Sequence, residues 1–270
     1  MECACLWGSI SNYGCVGVSN RKTLAGVSVC AGIGLHSGKR VRMVLKPATP
    51  GSGIHFLRTD LSGDNRIPAR FENVTTVRLG TTIANEAGAS VATVEHLMSA
   101  LAGLGVDDAV IEIDGPETPA MDGSAAPFVE LIRQAGLKET AAPLRVIRVL
   151  KPVSLEMQGR TATFLPSLKP AIDVEISFPH PTVGRQRYAF DISDQIFSDD
   201  VASARTFGFR KDVEAMHAAG LALGGSMENA VVIDDSGIAN PEGLRFADEF
   251  ARHKALDALG DLSLAGAPIF

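Results

Sequence analysis

The sequence has no excess of basic residues and no long apolar run, and these two absences exclude whole classes of protein. Its 25 Lys and Arg residues are outnumbered by 31 Asp and Glu residues, which leaves a net charge of −6. Nucleic acids and anionic membrane surfaces attract proteins through clustered cations, so we expect neither as a binding partner. The longest apolar stretches are far too short to cross a bilayer as a helix.

Cysteine is scarce as well, and the four cysteines all fall in the first thirty residues, at Cys3, Cys5, Cys15 and Cys30. A disulfide framework would distribute its cysteines along the chain, so the expected compartment is a reducing cytoplasm. The first twenty residues lack both the basic start and the continuous apolar stretch of a signal peptide. We therefore expect residues 1–21 to form a disordered extension outside the fold.

The rest of the chain alternates between patterns typical of strands and patterns typical of helices. Each half contains several strand-like stretches and ends in a helix, which predicts an α+β fold. Domain I is predicted at 22–142 and domain II at 143–270. The predicted helices lie at 93–102, 127–134, 212–219 and 246–259. Because nothing after the last helix closes domain II, we expect that domain to be C-terminally incomplete.

His253 and Asp257 are the first candidate metal ligands. They are four residues apart in a predicted helix, so they lie on one face and can reach one ion. Imidazole and carboxylate are both good zinc ligands. Asp261, four residues further on, falls near the same face and is a candidate to orient a ligand. By itself, this spacing is more simply explained as a polar pair on a solvated helix face.

Glu95 and His96 are adjacent in the first turn of the helix predicted at 93–102, with Thr93 as its expected N-cap. A metal-bound water needs a nearby carboxylate to accept its proton, so the pair offers a base and a ligand together. By itself, Glu95 is more simply explained as an acidic residue that complements the helix dipole. Ala100 follows one turn after His96, which excludes the His-Glu-x-x-His motif.

Taken together, His96, His253 and Asp257 form a three-ligand set that leaves a fourth position for water, as catalytic zinc requires. His36 lies among glycines and is interpreted as a turn residue. Three other segments are interpreted as structural when each is taken alone: a strand edge at 203–209, a Gly-rich turn at 224–229 and a helix-capping turn at 121–127. In the last of these, the expected cap is Asp122 or Ser124.

Five short motifs, in their order along the chain, resemble one family. The chain is similar to the UDP-3-O-acyl-N-acetylglucosamine deacetylases, the hydrolases of the committed step of lipid A (lipopolysaccharide) synthesis in Gram-negative bacteria. The resemblance covers about residues 22–266 and is specific as a combination, although no single motif is. The motifs are GIGLHSG at 32–38, TVEHL at 93–97, MDGSAAPF at 121–128, ARTFGF at 204–209 and FARHKALD at 250–257.

The resemblance implies a two-layer sandwich of two similar α+β domains, each with a small insert. It also implies a Zn²⁺ cofactor bound by His96, His253 and Asp257, with Glu95 as the base. Thr206 matches a threonine that hydrogen-bonds near the zinc-bound oxygen. The implied reaction is attack of water on the substrate's acetamide, with release of acetate and of a free glucosamine amine.

The resemblance also implies the residues that contact the substrate. Phe207 and Lys254 match substrate-contacting positions, and Gly225 and Ser226 match a turn that lines the same cleft. Leu79 lies in the stretch that matches the first insert. The second insert, at about 206–226, is implied to form the passage for the acyl chain. A monomer is expected, and its acylated UDP-sugar substrate brings it transiently near a membrane surface.

The sequence departs from the family at its end. Family members continue past the position of residues 265–266 with a strand, a helix and a Gly-His segment whose histidine assists catalysis. No histidine follows His253 here. Asp261 matches the aspartate that orients this histidine. We therefore expect Asp261 to be a catalytic residue whose partner histidine is missing. Three hypotheses stay open: an active deacetylase, a truncated zinc-binding fragment that turns over little or nothing, and an unrelated α+β binding protein in which His253 and Asp257 are only a surface pair. The combination of motifs disfavours the third.

Overall fold

The computed structural model describes residues 19–270. The extension predicted to be disordered comprises residues 1–21. Residues 1–18 lie outside the described residues, and the last two residues of the extension belong to the first strand. Within residues 19–270, no helix is both long enough and apolar enough to cross a membrane.

The first half of the chain contains a five-stranded sheet and two helices that cover it. The helices are α1 (Glu95–Gly103) and α2 (Ala126–Ala135). The strands are β1 (Asn20–Leu24), β2 (Ser28–Ile33), β3 (Arg40–Pro47), β4 (Ile54–Arg58), β5 (Arg66–Pro68), β6 (Val74–Thr76), β7 (Thr82–Ala84), β8 (Ser90–Val91) and β9 (Ala109–Ile113). The strand order of the five-stranded sheet is β2-β3-β9-β4-β5, and the neighbours are antiparallel except for the parallel pair β4 and β9. A smaller sheet has the order β6-β7-β8.

The second half is built from hairpins, one short mixed sheet and a long helix. The helices are α3 (Asp194–Ile196), α4 (Arg210–Ala218) and α5 (Glu249–Ser263). The strands are β10 (Leu137–Pro143), β11 (Val153–Met157), β12 (Arg160–Phe164), β13 (Ala171–Ser177), β14 (Arg185–Asp191), β15 (Phe207–Phe209), β16 (Val231–Asp234) and β17 (Gly237–Ile238). Strands β11 and β12 form one antiparallel pair, β13 and β14 another, and β15-β16-β17 form the mixed sheet. The described chain is thus a mixed α/β protein with several small sheets.

The two halves share one buried core, in which α1 packs directly against α5. Leu97 and Leu101 of α1 and Leu256 of α5 belong to the same buried cluster as Ile111 of β9. The contact is close because α5 has a glycine where the helices meet: a Cβ on Gly260 would overlap the carbonyl oxygen of Glu95. This packing brings the first turn of α1 beside the middle of α5.

Several predicted boundaries need correction. The helix predicted from Thr93 begins at Glu95, and Thr93 is not its N-cap, because its hydroxyl donates to Glu117 instead. The domain boundary predicted between residues 142 and 143 falls within strand β10, which pairs with β1. The pairing partner of β10 lies more than one hundred residues earlier, so local sequence carried no signal for it. Helix α5 continues to Ser263, four residues beyond the predicted end.

Candidate metal centre

Helix α1 presents Glu95 and His96 from its first turn. The turn begins abruptly, because Thr93 has a left-handed backbone with φ of 56° and the helix starts two residues later. Both side chains are buried, with 6% and 5% of their residue surface exposed. The backbone N–H of Thr81 donates to Oε2 of Glu95 at 2.9 Å. The glutamate is therefore buried, fixed at one oxygen and adjacent to a histidine.

Helix α5 presents His253 and Asp257 one turn apart, as their spacing predicts. His253 is fully buried, and its Nδ1 donates to the carbonyl oxygen of Ala204 at 3.0 Å. That hydrogen bond assigns the proton to Nδ1, which leaves the lone pair of Nε2 free. Asp257 has one oxygen engaged, since Lys254 Nζ donates to its Oδ2 at 2.6 Å. Its Oδ1 points towards the two histidines.

The three predicted ligands converge. His253 Nε2 lies 3.3 Å from Asp257 Oδ1, and His96 Nε2 lies 3.5 Å from the same oxygen. One ligand atom from each of the three residues can be chosen so that the three atoms all lie within 4.8 Å of one another. The two imidazole rings are nearly perpendicular, at 83°, with centroids 4.9 Å apart. Ligands that each sit about 2 Å from one ion have separations of this size.

Two of these atoms test whether a metal ion fits. Among the described residues, His253 Nε2 and Asp257 Oδ1 are buried without a hydrogen-bond partner. Buried polar atoms are rarely left without a partner, because each costs about 1–3 kcal/mol. A cation between them and His96 would satisfy both atoms, and two imidazoles with one carboxylate suit a transition metal. The residues therefore fit a divalent metal ion.

The charge states of the site residues support metal binding. Burial lowers the pKa of His253 to about 3, against the pull of Asp257, so its imidazole is neutral and available as a ligand. Burial would raise the pKa of Asp257, but His253, Lys254 and His96 hold it well below its usual value. Burial raises the pKa of Glu95 to about 7; His96 opposes this shift and Asp257 adds to it. A carboxylate with such a pKa can exchange protons near neutral pH.

The segment before and within β15 lies beside His253. The backbone of Thr206 is fixed on both sides, since its N–H donates to Gly123 at 2.8 Å and its carbonyl accepts from Val231 at 2.8 Å. The ring of Phe207 packs on Phe250 of α5, with centroids 4.7 Å apart. Lys254 Nζ lies 5.6 Å from the centroid of the Phe207 ring. Thr206, Phe207 and Lys254 thus occupy one corner of the site, as a group.

Arg205 joins this segment to α5. Its guanidinium is buried, with 2% of the side chain exposed, and it pairs at 2.9 Å with Glu249, which is fully buried. Its backbone N–H donates to the same carboxylate at 3.0 Å. The neighbouring Ala204 supplies the carbonyl that holds His253. The buried ion pair therefore fixes the backbone on which both the His253 contact and Thr206 depend.

His36 connects the loop of Leu79 to the turn that precedes Gly225 and Ser226. Leu79 is 53% exposed, and its carbonyl accepts a hydrogen bond from His36 Nε2 at 2.8 Å. The backbone N–H of Ala222, at the start of the turn, donates to His36 Nδ1 at 3.3 Å. His36 is therefore more than the turn residue that the sequence indicated, because its ring links two loops far apart in sequence.

Asp261 accepts a hydrogen bond that the sequence did not indicate. Its Oδ1 accepts from the hydroxyl of Thr81 at 2.7 Å. Thr81 also donates its backbone N–H to Glu95, so one residue links the predicted base to Asp261. Burial raises the pKa of Asp261, while Thr81 opposes the shift and Asp257 adds to it. The absence of the histidine expected to face Asp261 stays a prediction, because Thr81 is a different contact.

Sequence reasoning did not single out Glu117 or Thr81. Glu117 is buried between prolines in the loop after β9, and it accepts hydrogen bonds from His36, Ser37 and Thr93. No periodicity or spacing marks such a residue.

Comparison with known proteins gives matches over nearly the whole described chain. A family model described as UDP-3-O-acyl N-acetylglycosamine deacetylase matches residues 21–270. A UDP-3-O-acyl-N-acetylglucosamine deacetylase of Myxococcus xanthus (strain DK1622) is 49% identical over 250 residues, which are 93% of this chain and 79% of that protein. The enzyme of the same name from Geobacter sp. (strain M21) is 51% identical over 246 residues, 91% of this chain and 80% of that protein. The one from Phenylobacterium zucineum (strain HLK1) is 50% identical over 248 residues, 92% of this chain and 85% of that protein.

Proposed function

The chain belongs to the UDP-3-O-acyl N-acetylglycosamine deacetylase family, and on that premise we propose that it is a zinc-dependent deacetylase of lipid A biosynthesis. It hydrolyses the N-acetyl group of UDP-3-O-acyl-N-acetylglucosamine and releases acetate and the free amine. The relatives at about 50% identity carry this activity in their names. The observation that carries the proposal is the convergence of His96, His253 and Asp257 beside a buried glutamate.

Zinc is the metal that the ligand set favours. His96 and His253 would hold it through nitrogen, and Asp257 through Oδ1, which leaves a fourth position open. Bound there, zinc would act as a Lewis acid that lowers the pKa of water and polarises a carbonyl. Lys254 supports the ligand role of Asp257, since it occupies Oδ2 and leaves Oδ1 for the ion.

Glu95 acts as the general base. Its pKa of about 7 allows it to take the proton that water loses as the new C–O bond forms. The N–H of Thr81 fixes Oε2, so that the other oxygen faces the site. When the C–N bond breaks, the leaving amine needs a proton, which the protonated Glu95 can supply. Asp261 is joined to Glu95 through Thr81. It acts by positioning the Glu95 carboxylate and by the effect of its own charge on that group.

Thr206 stabilises the oxyanion that forms on the acetamide carbonyl. Its backbone is fixed at both ends, so the chain that carries its hydroxyl is held in place before the substrate arrives. A preorganised donor of this kind typically contributes about 3–4 kcal/mol to acyl transfer. Lys254 and Phe207 contact the substrate beside the metal, and Leu79, Gly225 and Ser226 line the approach from the loops joined by His36.

The wider architecture follows from the same premise. We propose a two-layer sandwich of two similar α+β domains, at 22–142 and 143–270, each with a small insert. The direct packing of α1 on α5 supports a site between the two halves. The second insert, containing α4, forms the passage for the acyl chain. The protein works as a cytoplasmic monomer, without nucleic-acid partners, and a net charge of −6 supports the latter point.

Replacement of the base tests the proposal. Glu95→Gln keeps the shape of the side chain but cannot accept the proton, so we expect acetate release to fall about 10²–10⁴-fold while zinc content stays at one per chain. Glu130→Gln is the matched control, because Glu130 is exposed on α2. Equal activity of the Glu95→Gln variant and the wild type would exclude Glu95 as the base. Zinc binding by the wild type without any acetate release would contradict the deacetylase activity itself.

A further inference from the structure

Glu117 is a buried carboxylate outside the set of residues assigned to the reaction so far. It is 2% exposed and lies in the loop between β9 and α2. Its Oε1 accepts from the backbone N–H of His36 at 2.9 Å and from the hydroxyl of Thr93 at 2.9 Å. Its Oε2 accepts from the backbone N–H of Ser37 at 2.8 Å. All three donors are neutral, so the carboxylate serves as a triple acceptor that joins two segments.

The first of these segments leads directly into Glu95. Thr93 has φ of 56°, a conformation that is an outlier for a β-branched residue and costs about 1–3 kcal/mol. Such a conformation persists only where surrounding contacts determine it. Here both ends of the residue are held: Glu117 accepts from the hydroxyl, and the hydroxyl of Thr118 donates to the carbonyl. Two residues later, Glu95 begins α1.

The second segment leads to the other side of Glu95. The turn at His36, whose backbone N–H binds Glu117, places the imidazole so that Nε2 holds the carbonyl of Leu79. Leu79 is also left-handed, with φ of 59°. Two residues later, Thr81 donates its N–H to the Glu95 carboxylate. Glu117 thus fixes both the backbone that carries Glu95 and, through His36, the loop whose N–H orients its oxygen.

We propose that Glu117 is a positioning residue for the base: it aligns the Glu95 carboxylate from both sides without contacting the substrate. This inference rests on the proposed function, in which Glu95 takes the proton from water. Proton transfer demands alignment, and a displacement of about 1 Å at a reacting group can cost about 100-fold in rate. Loss of the joint should therefore lower kcat. KM should rise as well, but by a smaller factor, because through His36 the joint also holds the Leu79 loop that lines the substrate approach.

Glu117→Gln is the sharpest variant, because it keeps the shape and removes one acceptor. An amide has one acceptor oxygen and one NH₂ group, so it must turn a donor towards one of the three donors. We expect kcat to fall about 10- to 100-fold, with a smaller rise in KM from the loosened Leu79 loop. The amide proton of Thr81 should also exchange faster with solvent, since its acceptor on Glu95 is less well placed. That second readout requires neither metal nor substrate.

Asp108→Asn is the matched control. Asp108 is also fully buried, and it also accepts from two backbone N–H groups, those of Gly51 and Gly53 at 3.1 and 2.7 Å. It additionally pairs with Arg21 at 2.8 Å, so its replacement should destabilise the fold at least as much as Glu117→Gln does. Asp108 follows the opposite end of α1, and only Glu117→Gln should lower kcat per folded molecule and speed exchange at Thr81.

A second pair of variants keeps the inference testable if Glu117→Gln does not fold. Thr93→Val removes only the hydroxyl that Glu117 accepts, and Thr93→Ser keeps it. We expect kcat of the serine variant to lie closer to the wild type than that of the valine variant. The inference is overturned if Glu117→Gln, or Thr93→Val in its place, leaves kcat and Thr81 exchange at wild-type values, or if Asp108→Asn lowers kcat equally. An inactive wild type would instead overturn the proposed function, and Thr81 exchange would still report on the alignment.

Discussion

The carbonyl oxygen of Ala204 accepts a hydrogen bond from Nδ1 of His253 at 3.0 Å. This contact decides which nitrogen of the histidine faces Asp257, and hence which one can bind a metal ion. It also connects the proposed ligand to the strand segment that carries Thr206, two residues later. Partners of this kind set the tautomer and the orientation of a metal-binding histidine, and their loss typically costs about 10- to 100-fold in affinity.

Removal of a ligand should abolish tight metal binding. His253→Ala deletes one of three proposed ligands, so we expect zinc content after dialysis to fall from one per chain to near zero. His217→Ala is the control, since His217 is exposed on α4. Elemental analysis of both variants measures the effect. Full zinc content in His253→Ala would rule out the assigned ligand set.

The buried ion pair behind the site should be costly to break. Arg205→Met leaves Glu249, which is fully buried, without its guanidinium, and such a change typically costs about 3–5 kcal/mol in the free energy of unfolding. The control is Arg133→Met, because Arg133 pairs with Asp194 at the surface, where loss of a pair changes stability little. Urea unfolding of the two variants gives the comparison. Equal stability changes would contradict a special role for the Arg205–Glu249 pair.

The close contact between α1 and α5 should not tolerate a side chain. Alanine normally stabilises a helix relative to glycine by about 1 kcal/mol. At Gly260, however, the new Cβ would overlap the Glu95 carbonyl, so we expect Gly260→Ala to destabilise the fold by about 1–3 kcal/mol. Because the displaced turn carries His96, zinc affinity should fall as well. A variant as stable as the wild type would show that the helices can separate without cost.

The convergence of His96, His253 and Asp257 beside Glu95 could be anticipated from sequence because part of the geometry is local. A spacing of four residues puts His253 and Asp257 on one helical face whatever the rest of the chain does. Adjacent residues in the first turn of a helix likewise stay together. The motifs in their order identified the family, which the comparisons confirm. The pattern could not decide which polar residues, far apart in sequence, would contact one another in the fold.

The contacts that orient these side chains were not predictable, since they join residues far apart in sequence. Ala204 contributes only a backbone carbonyl, which has no residue-type signal. Thr93 was expected to cap α1, but the left-handed turn directs its hydroxyl to Glu117 instead. Asp261 accepts a hydrogen bond from Thr81, 180 positions away, which no sequence pattern indicated. Tertiary contacts of this kind override local preferences.

Asp108 should make stability depend on acidity. Burial would raise its pKa, but hydrogen bonds from Arg21, Gly51 and Gly53 outweigh burial and lower it. Since the folded pKa lies below the unfolded value, the stabilisation is present above about pH 4 and is lost as pH falls through the folded pKa. The difference in unfolding free energy between wild type and Asp108→Asn should therefore be largest near neutral pH and shrink below about pH 4. A difference that grows on acidification would contradict this assignment.

The most direct test of the account follows acetate release from UDP-3-O-acyl-N-acetylglucosamine as zinc is added back to metal-stripped protein. We expect the initial rate to rise with zinc and to level off at one equivalent per chain, in proportion to the zinc that His96, His253 and Asp257 bind. A rate that is the same without zinc, or no acetate release with the site fully loaded, would contradict the central claim that this site is a zinc deacetylase centre.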